Sequence, residues 1–138
     1  MKPQLIKGDC FKDDRGTLTY NNAFDISEGK RIYTITNKEL GYKRGWQGHQ
    51  IEHRWFSAMT GSFLIQTVTP NNWEQPSKDL EILDFIVCSE KLDVLHVPAG
   101  NITLITALET NSKLLVMADH LLGEVKDEYR YNSDYFSS

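Results

Sequence analysis

At 138 residues, with 40% apolar and 25% charged residues, the chain has the size and make-up of one globular domain able to bury a core. Its formal net charge of −4 offers no general attraction to nucleic acid or to anionic membrane, so any bound anion must meet a local arginine cluster. No stretch approaches the roughly 18 continuous apolar residues of a membrane span, and the opening MKPQLIKGDCF lacks the apolar core of a secretory signal.

In chain order, the strand signals are RIYTIT (31–36), SFLIQTV (62–68), LEILDFIVC (80–88), LDVLHV (92–97), NITLITAL (101–108) and KLLVMAD (113–119), each rich in branched and aromatic residues. Turn residues separate them, among them Thr60-Gly61, Pro98-Ala99-Gly100 and Thr110-Asn111-Ser112. Many short strands at this spacing predict an all-β sandwich or barrel occupying residues 1–138 as a single domain. The longest loop, Thr69 to Lys78, holds two prolines and links two strands of a hairpin, with Trp73 placed to fold back over a core edge. The tail GEVKDEYRYNSDYF forms a short C-terminal extension or one short helix. Cys10 and Cys88 show no metal-finger or redox spacing and read as reduced thiols in a cytoplasmic protein.

The chemistry concentrates in RGWQGHQIEHRWF, Arg44 to Phe56. If Trp46 to Phe56 is one extended strand, Gln47, His49, Ile51, His53 and Trp55 share a face and make a pocket wall. The Cβ atoms of His49 and His53 would then lie about 13 Å apart, a stretch for one ion unless a β-bulge shortened the gap. No third ligand follows at a recognisable offset, so no metal is expected. Half-buried structural histidines are the plain alternative. Arg15, Arg31 and Arg44 each begin or precede a strand, and a guanidinium's planar fork suits phosphate oxygens. Exposed arginines paired with Asp13, Asp14 or Glu52 are the other reading.

Six segments in order carry a family resemblance. Asp13-Asp14-Arg15-Gly16-Thr17-Leu18 resembles the D-x-R-G-x-L opening of nucleotide-sugar cupins, and Arg31-Ile32-Tyr33-Thr34-Ile35 their R-V-Y-Y-I strand. Arg44-Gly45-Trp46-Gln47-Gly48-His49 resembles the R-G-F-H-A-H strand of dTDP-sugar 3,4-ketoisomerases. Val97-Pro98-Ala99-Gly100, Leu115 to Asp119 and Asp127 to Tyr131 resemble that family's second turn, closing strand and tail. The sister family, dTDP-4-dehydrorhamnose 3,5-epimerases, shares the D-x-R-G and R-G-x-H elements.

The resemblance implies a jelly-roll cupin barrel, a homodimer, that binds a dTDP-linked 4-keto-6-deoxy sugar without a cofactor. It implies movement of the keto group between C4 and C3 by proton transfer through an enediol, for surface polysaccharide synthesis. The alternatives are a 3,5-epimerase and a non-catalytic nucleotide-sugar-binding cupin. The resemblance makes His49 the base, with Tyr33 and His53 as further catalytic candidates. It assigns Arg15, Arg31, Arg44, Trp46, Gln47 and Arg130 to substrate binding. The departures are Gln47 for the first histidine of the pattern, Thr34 for the second tyrosine, and Asn101-Ile102-Thr103 where the family carries a histidine after its second turn. His96 reads as a satisfied structural histidine.

Overall fold

The computed structural model describes residues 1–136. Twelve short strands form β1 (Gln4–Ile6), β2 (Asp9–Asp13), β3 (Gly16–Tyr20), β4 (Arg31–Ile35), β5 (Lys43–His49), β6 (Arg54–Thr60), β7 (Ser62–Val68), β8 (Leu83–Cys88), β9 (Val94–Val97), β10 (Asn101–Ala107), β11 (Lys113–Ala118) and β12 (Tyr129–Arg130). Two five-stranded sheets, ordered β1-β9-β6-β11-β4 and β12-β5-β10-β7-β8, are antiparallel throughout. They face each other as a jelly-roll sandwich. A separate hairpin, β2–β3, stands beside them.

The core follows from period-two alternation. Phe56 and Ala58 of β6, Phe63 and Ile65 of β7, Leu95 of β9, Ile105 of β10, and Leu114 and Val116 of β11 point between the sheets and are buried. Two satellite clusters cover the outer faces. Trp46, Ile102 and Leu104 pack under Phe136 and the Trp73 loop, and Trp55, Val94 and Met117 pack under Ile6 and Phe24. Trp73 therefore does return over a core edge. Among the described residues there is no helix; the tail instead adds the two-residue β12 to the edge of β5. The strand expected from Leu80 begins only at Leu83.

One expectation fails in a consequential way. Trp46 to Phe56 is not one strand: β5 ends at His49, Gln50 to His53 form a bend, and β6 starts in the other sheet. The bend exists because its four successive amides are held by two carboxylates distant in sequence, Asp119 directly after β11 and Asp127 in the tail. Asp127 accepts from Gln50, Ile51 and Glu52 at 2.7, 2.8 and 2.7 Å, and Asp119 from His53 at 3.0 Å. Those bonds replace the ladder partners a continuous strand would need.

Candidate active site

A cavity of about 310 Å³ opens between the two sheets at one end of the sandwich. Arg31 and Tyr33 of β4, Gln47 and His49 of β5, and Arg54 of β6 line it, with Glu52 from the bend. Its inner recess has an apolar floor of Ile35, Phe56, Val97 and Ile105, and Asn101 and Thr103 of β10 close its side. The segment from Leu121 to Arg130 forms one lip.

Strand β5 reaches this cavity with Arg44 as well as Gln47 and His49, which simple alternation forbids. A β-bulge resolves it. Thr103 pairs with Gln47 and Ile105 with Arg44, so β5 counts one residue more than β10 between the two pairs. The extra residue turns Arg44 onto the cavity face and leaves Trp46 and Gly48 on the outer one. Trp46 is 1% exposed, donates from its indole Nε1 to the Ser133 carbonyl at 3.1 Å, and meets Phe136 edge-on at 5.0 Å. It is a core residue of the outer cluster, and the structure does not bring it to the pocket.

His49 sits half-buried on the cavity wall. Its Nδ1 lies 2.7 Å from the backbone carbonyl of Asp127. A carbonyl only accepts, so Nδ1 carries the hydrogen and Nε2 is left with a free lone pair. Burial, and then the charge of Arg54, hold the His49 pKa below the ordinary histidine value of 6.5. The ring is therefore neutral at pH 7, the form a general base requires.

Arg54 was not singled out by the sequence, where it looked like one cation in a polar run. It is 6% exposed and faces both the recess and the mouth. Glu52, 8% exposed, pairs with it: Nη1 to Oε2 is 3.1 Å and Nη2 to Oε1 is 3.4 Å. Nη1 nevertheless directs no N–H at an acceptor among the described residues.

At the mouth, Arg31 lies 4.8 Å over the Tyr33 ring and Arg44 is exposed. Arg130 donates to Glu128 at 2.7 and 3.1 Å, and Gln47 donates its side-chain amide to the same carboxylate. Arg31, Arg44, Gln47, Tyr33, His49 and Arg130 thus all line this one cavity. Arg15 does not: it sits 82% exposed at the β2–β3 turn, paired with Asp13 at 2.7 Å. His53 does not either. Beyond the bend it faces outward with Trp55, and its Nδ1 meets His96 Nε2 at 2.9 Å. His96 is satisfied by that contact, and burial together with His53 keeps its pKa below 6.5.

His49, Glu52 and Asp127 bring possible ligand atoms within 4.8 Å of one another. These groups already serve the protein's own hydrogen bonds and ion pair. Both Asp127 oxygens already accept amide hydrogens, Glu52 pairs with Arg54, and His49 Nδ1 is a donor to a carbonyl.

The family model described as "FdtA: WxcM-like, C-terminal" matches residues 1–138. The chain belongs to that family. Among solved structures it is similar to a variant of the 3,4-ketoisomerase QdtA from Thermoanaerobacterium thermosaccharolyticum in complex with TDP-4-keto-6-deoxyglucose. There the identity is 21%, the coverage 97% of this chain and 91% of that one, and the TM-score 0.73. The WlaRB TDP-quinovose 3,4-ketoisomerase from Campylobacter jejuni gives 17%, 96%, 95% and 0.68 on the same measures. The dTDP-4-dehydrorhamnose 3,5-epimerase from Sulfolobus tokodaii gives 17%, 99%, 80% and 0.76. At these identities the likeness establishes the cupin fold. No curated protein matches the chain.

Proposed function

We propose that this FdtA/WxcM-like cupin is a nucleotide-sugar isomerase that moves the keto group of a dTDP-linked 4-keto-6-deoxy sugar from C4 to C3. The observation that carries the reading is the tautomer of His49. Its Nδ1 is held by the Asp127 carbonyl, so a neutral Nε2 is available within a cavity edged by arginines. The 3,4-ketoisomerase neighbours and the complex of one with a TDP-linked 4-keto sugar support the same reading.

The chemistry needs only proton movement. His49 Nε2 takes the proton from C3, whose C–H electrons form a C3–C4 double bond while the carbonyl oxygen becomes an enolate. The hydroxyl hydrogen passes between the two adjacent oxygens, and His49 returns its proton to C4. No redox cofactor is called for. Arg31, Arg44 and Arg130 at the mouth suit the diphosphate. Tyr33 faces the sugar. His53, outside the cavity, has no part in these steps, and Gln47, engaged by Glu128, shapes the wall.

Incubation with dTDP-4-keto-6-deoxyglucose, with the product followed by carbon NMR, tests the reading. It predicts a keto carbon at C3. A keto group that stays at C4 with inverted ring carbons would assign 3,5-epimerisation instead. Unchanged substrate, with dTDP bound, would assign a binding module.

A further inference from the structure

We propose that Arg54 stabilises the enolate oxygen formed in this isomerisation, by a hydrogen bond from its Nη1 in the buried recess of the cavity. The assignment rests on the proton-transfer reading above and adds the group that reading leaves unnamed.

Removing a proton beside a carbonyl puts negative charge on the carbonyl oxygen, so the site needs a fixed donor aimed at it. Two of the other uncharged donors on the wall are engaged, and the Tyr33 hydroxyl faces Arg54 itself, so the guanidinium is the wall's charged donor in the recess. The Gln47 side-chain amide donates to Glu128, and the Thr103 hydroxyl to the Gln47 carbonyl at 3.4 Å. Arg54 differs in three respects. It lies in the recess, where Arg31, Arg44 and Arg130 line only the mouth. It is held in place by Glu52, so it needs no reorganisation when charge develops. Its Nη1 is buried with no directed acceptor among the described residues, a condition native proteins rarely leave without a use. The guanidinium keeps its own proton throughout, because arginine does not titrate in this range. It therefore donates a hydrogen bond while His49 moves the proton.

Deuterium incorporation into the sugar in D₂O, measured beside dTDP affinity, tests the assignment. Arg54→Ala should slow exchange by about 10²–10³-fold, the usual loss for one such donor. Its dTDP dissociation constant should stay within about threefold of wild type, because the diphosphate meets the other arginines. Methylguanidinium at non-denaturing concentration should restore at least about tenfold of the lost rate, which a purely structural arginine would not permit. Should the alanine variant fail to fold, Arg54→Gln, which keeps a hydrogen bond to Glu52, should still lose at least about tenfold. Exchange within threefold of wild type in a folded variant overturns the assignment. So does a large loss of dTDP affinity at unchanged turnover, which would make Arg54 a diphosphate ligand. Wild-type exchange with unaffected variants removes Arg54 alone; no exchange in the wild type removes the isomerase reading and this assignment together.

Discussion

Asp127→Ala removes the side chain that accepts from three successive amides of the bend, those of Gln50, Ile51 and Glu52, at 2.7, 2.8 and 2.7 Å. Asp127 is 5% exposed, so its carboxylate is not one that water simply replaces. A buried amide left without an acceptor costs about 1–3 kcal/mol. The Glu52 amide is buried, whereas Gln50 and Ile51 are exposed residues whose amides can recruit water. The expected loss is therefore about 2–4 kcal/mol, a large part of the roughly 5–15 kcal/mol that stabilises a domain. Asp127→Asn keeps one acceptor oxygen and should lose about 1–2 kcal/mol. Urea unfolding at pH 7, followed by tryptophan fluorescence, measures both, with an unchanged m-value confirming that the folded state is comparable. An alanine variant within about 0.5 kcal/mol of wild type would refute the claim that this carboxylate makes the bend.

The pH dependence has a definite sign. The His49 pKa is held below 6.5, so folded His49 binds fewer protons than unfolded. Its contribution to stability is complete above 6.5 and fades as pH falls through the folded value, and the exchange rate should likewise hold down to 6.5 and drop only below it. A rate that already falls between pH 7.5 and about 6.5 would contradict a buried neutral base. Gly48→Ala would put a Cβ 2.6 Å from Trp73 Cζ3 and 2.8 Å from Ile102 Cγ1, so it should cost about 1–3 kcal/mol in a thermal melt. An unaltered melting point would show that the Trp73 loop is not seated there. Arg31→Ala and Arg44→Ala should each weaken dTDP binding by about tenfold or more in calorimetry, with the loss shrinking at high salt. No change in either would place the diphosphate elsewhere.

Much of the architecture was legible because β7, β10 and β11 are short runs rich in branched and apolar residues, bounded by turn residues such as Gly61, Gly100 and Asn111. Arg44-Gly45-Trp46-Gln47-Gly48-His49 likewise pointed to the wall of the site. The break after His49 was not legible, since Gln50-Ile51-Glu52-His53 has no glycine or proline. Its cause is a set of hydrogen bonds to residues 66–77 positions away. Once the chain crosses to the other sheet there, a period-two count from His49 no longer predicts the direction of His53 or Trp55. The position of Trp46 was missed because the resemblance assigned it to the substrate, although alternation from Gln47 and His49 already puts it on the opposite face; the bulge accounts for Arg44 joining the cavity face. The β2–β3 hairpin was missed because its residues are mostly exposed and give no apolar alternation. Arg54 could have been suspected only as a lone cation heading a strand whose next four residues are buried.

The most direct measurement is deuterium incorporation at the ring carbon beside the carbonyl of dTDP-4-keto-6-deoxyglucose in D₂O, for wild type and for His49→Asn. The account predicts uptake in the wild type and a loss of about 10²–10⁴-fold in the variant, with dTDP still bound. Equal uptake in both would place the base on another residue and contradict the role drawn from the Asp127-held tautomer.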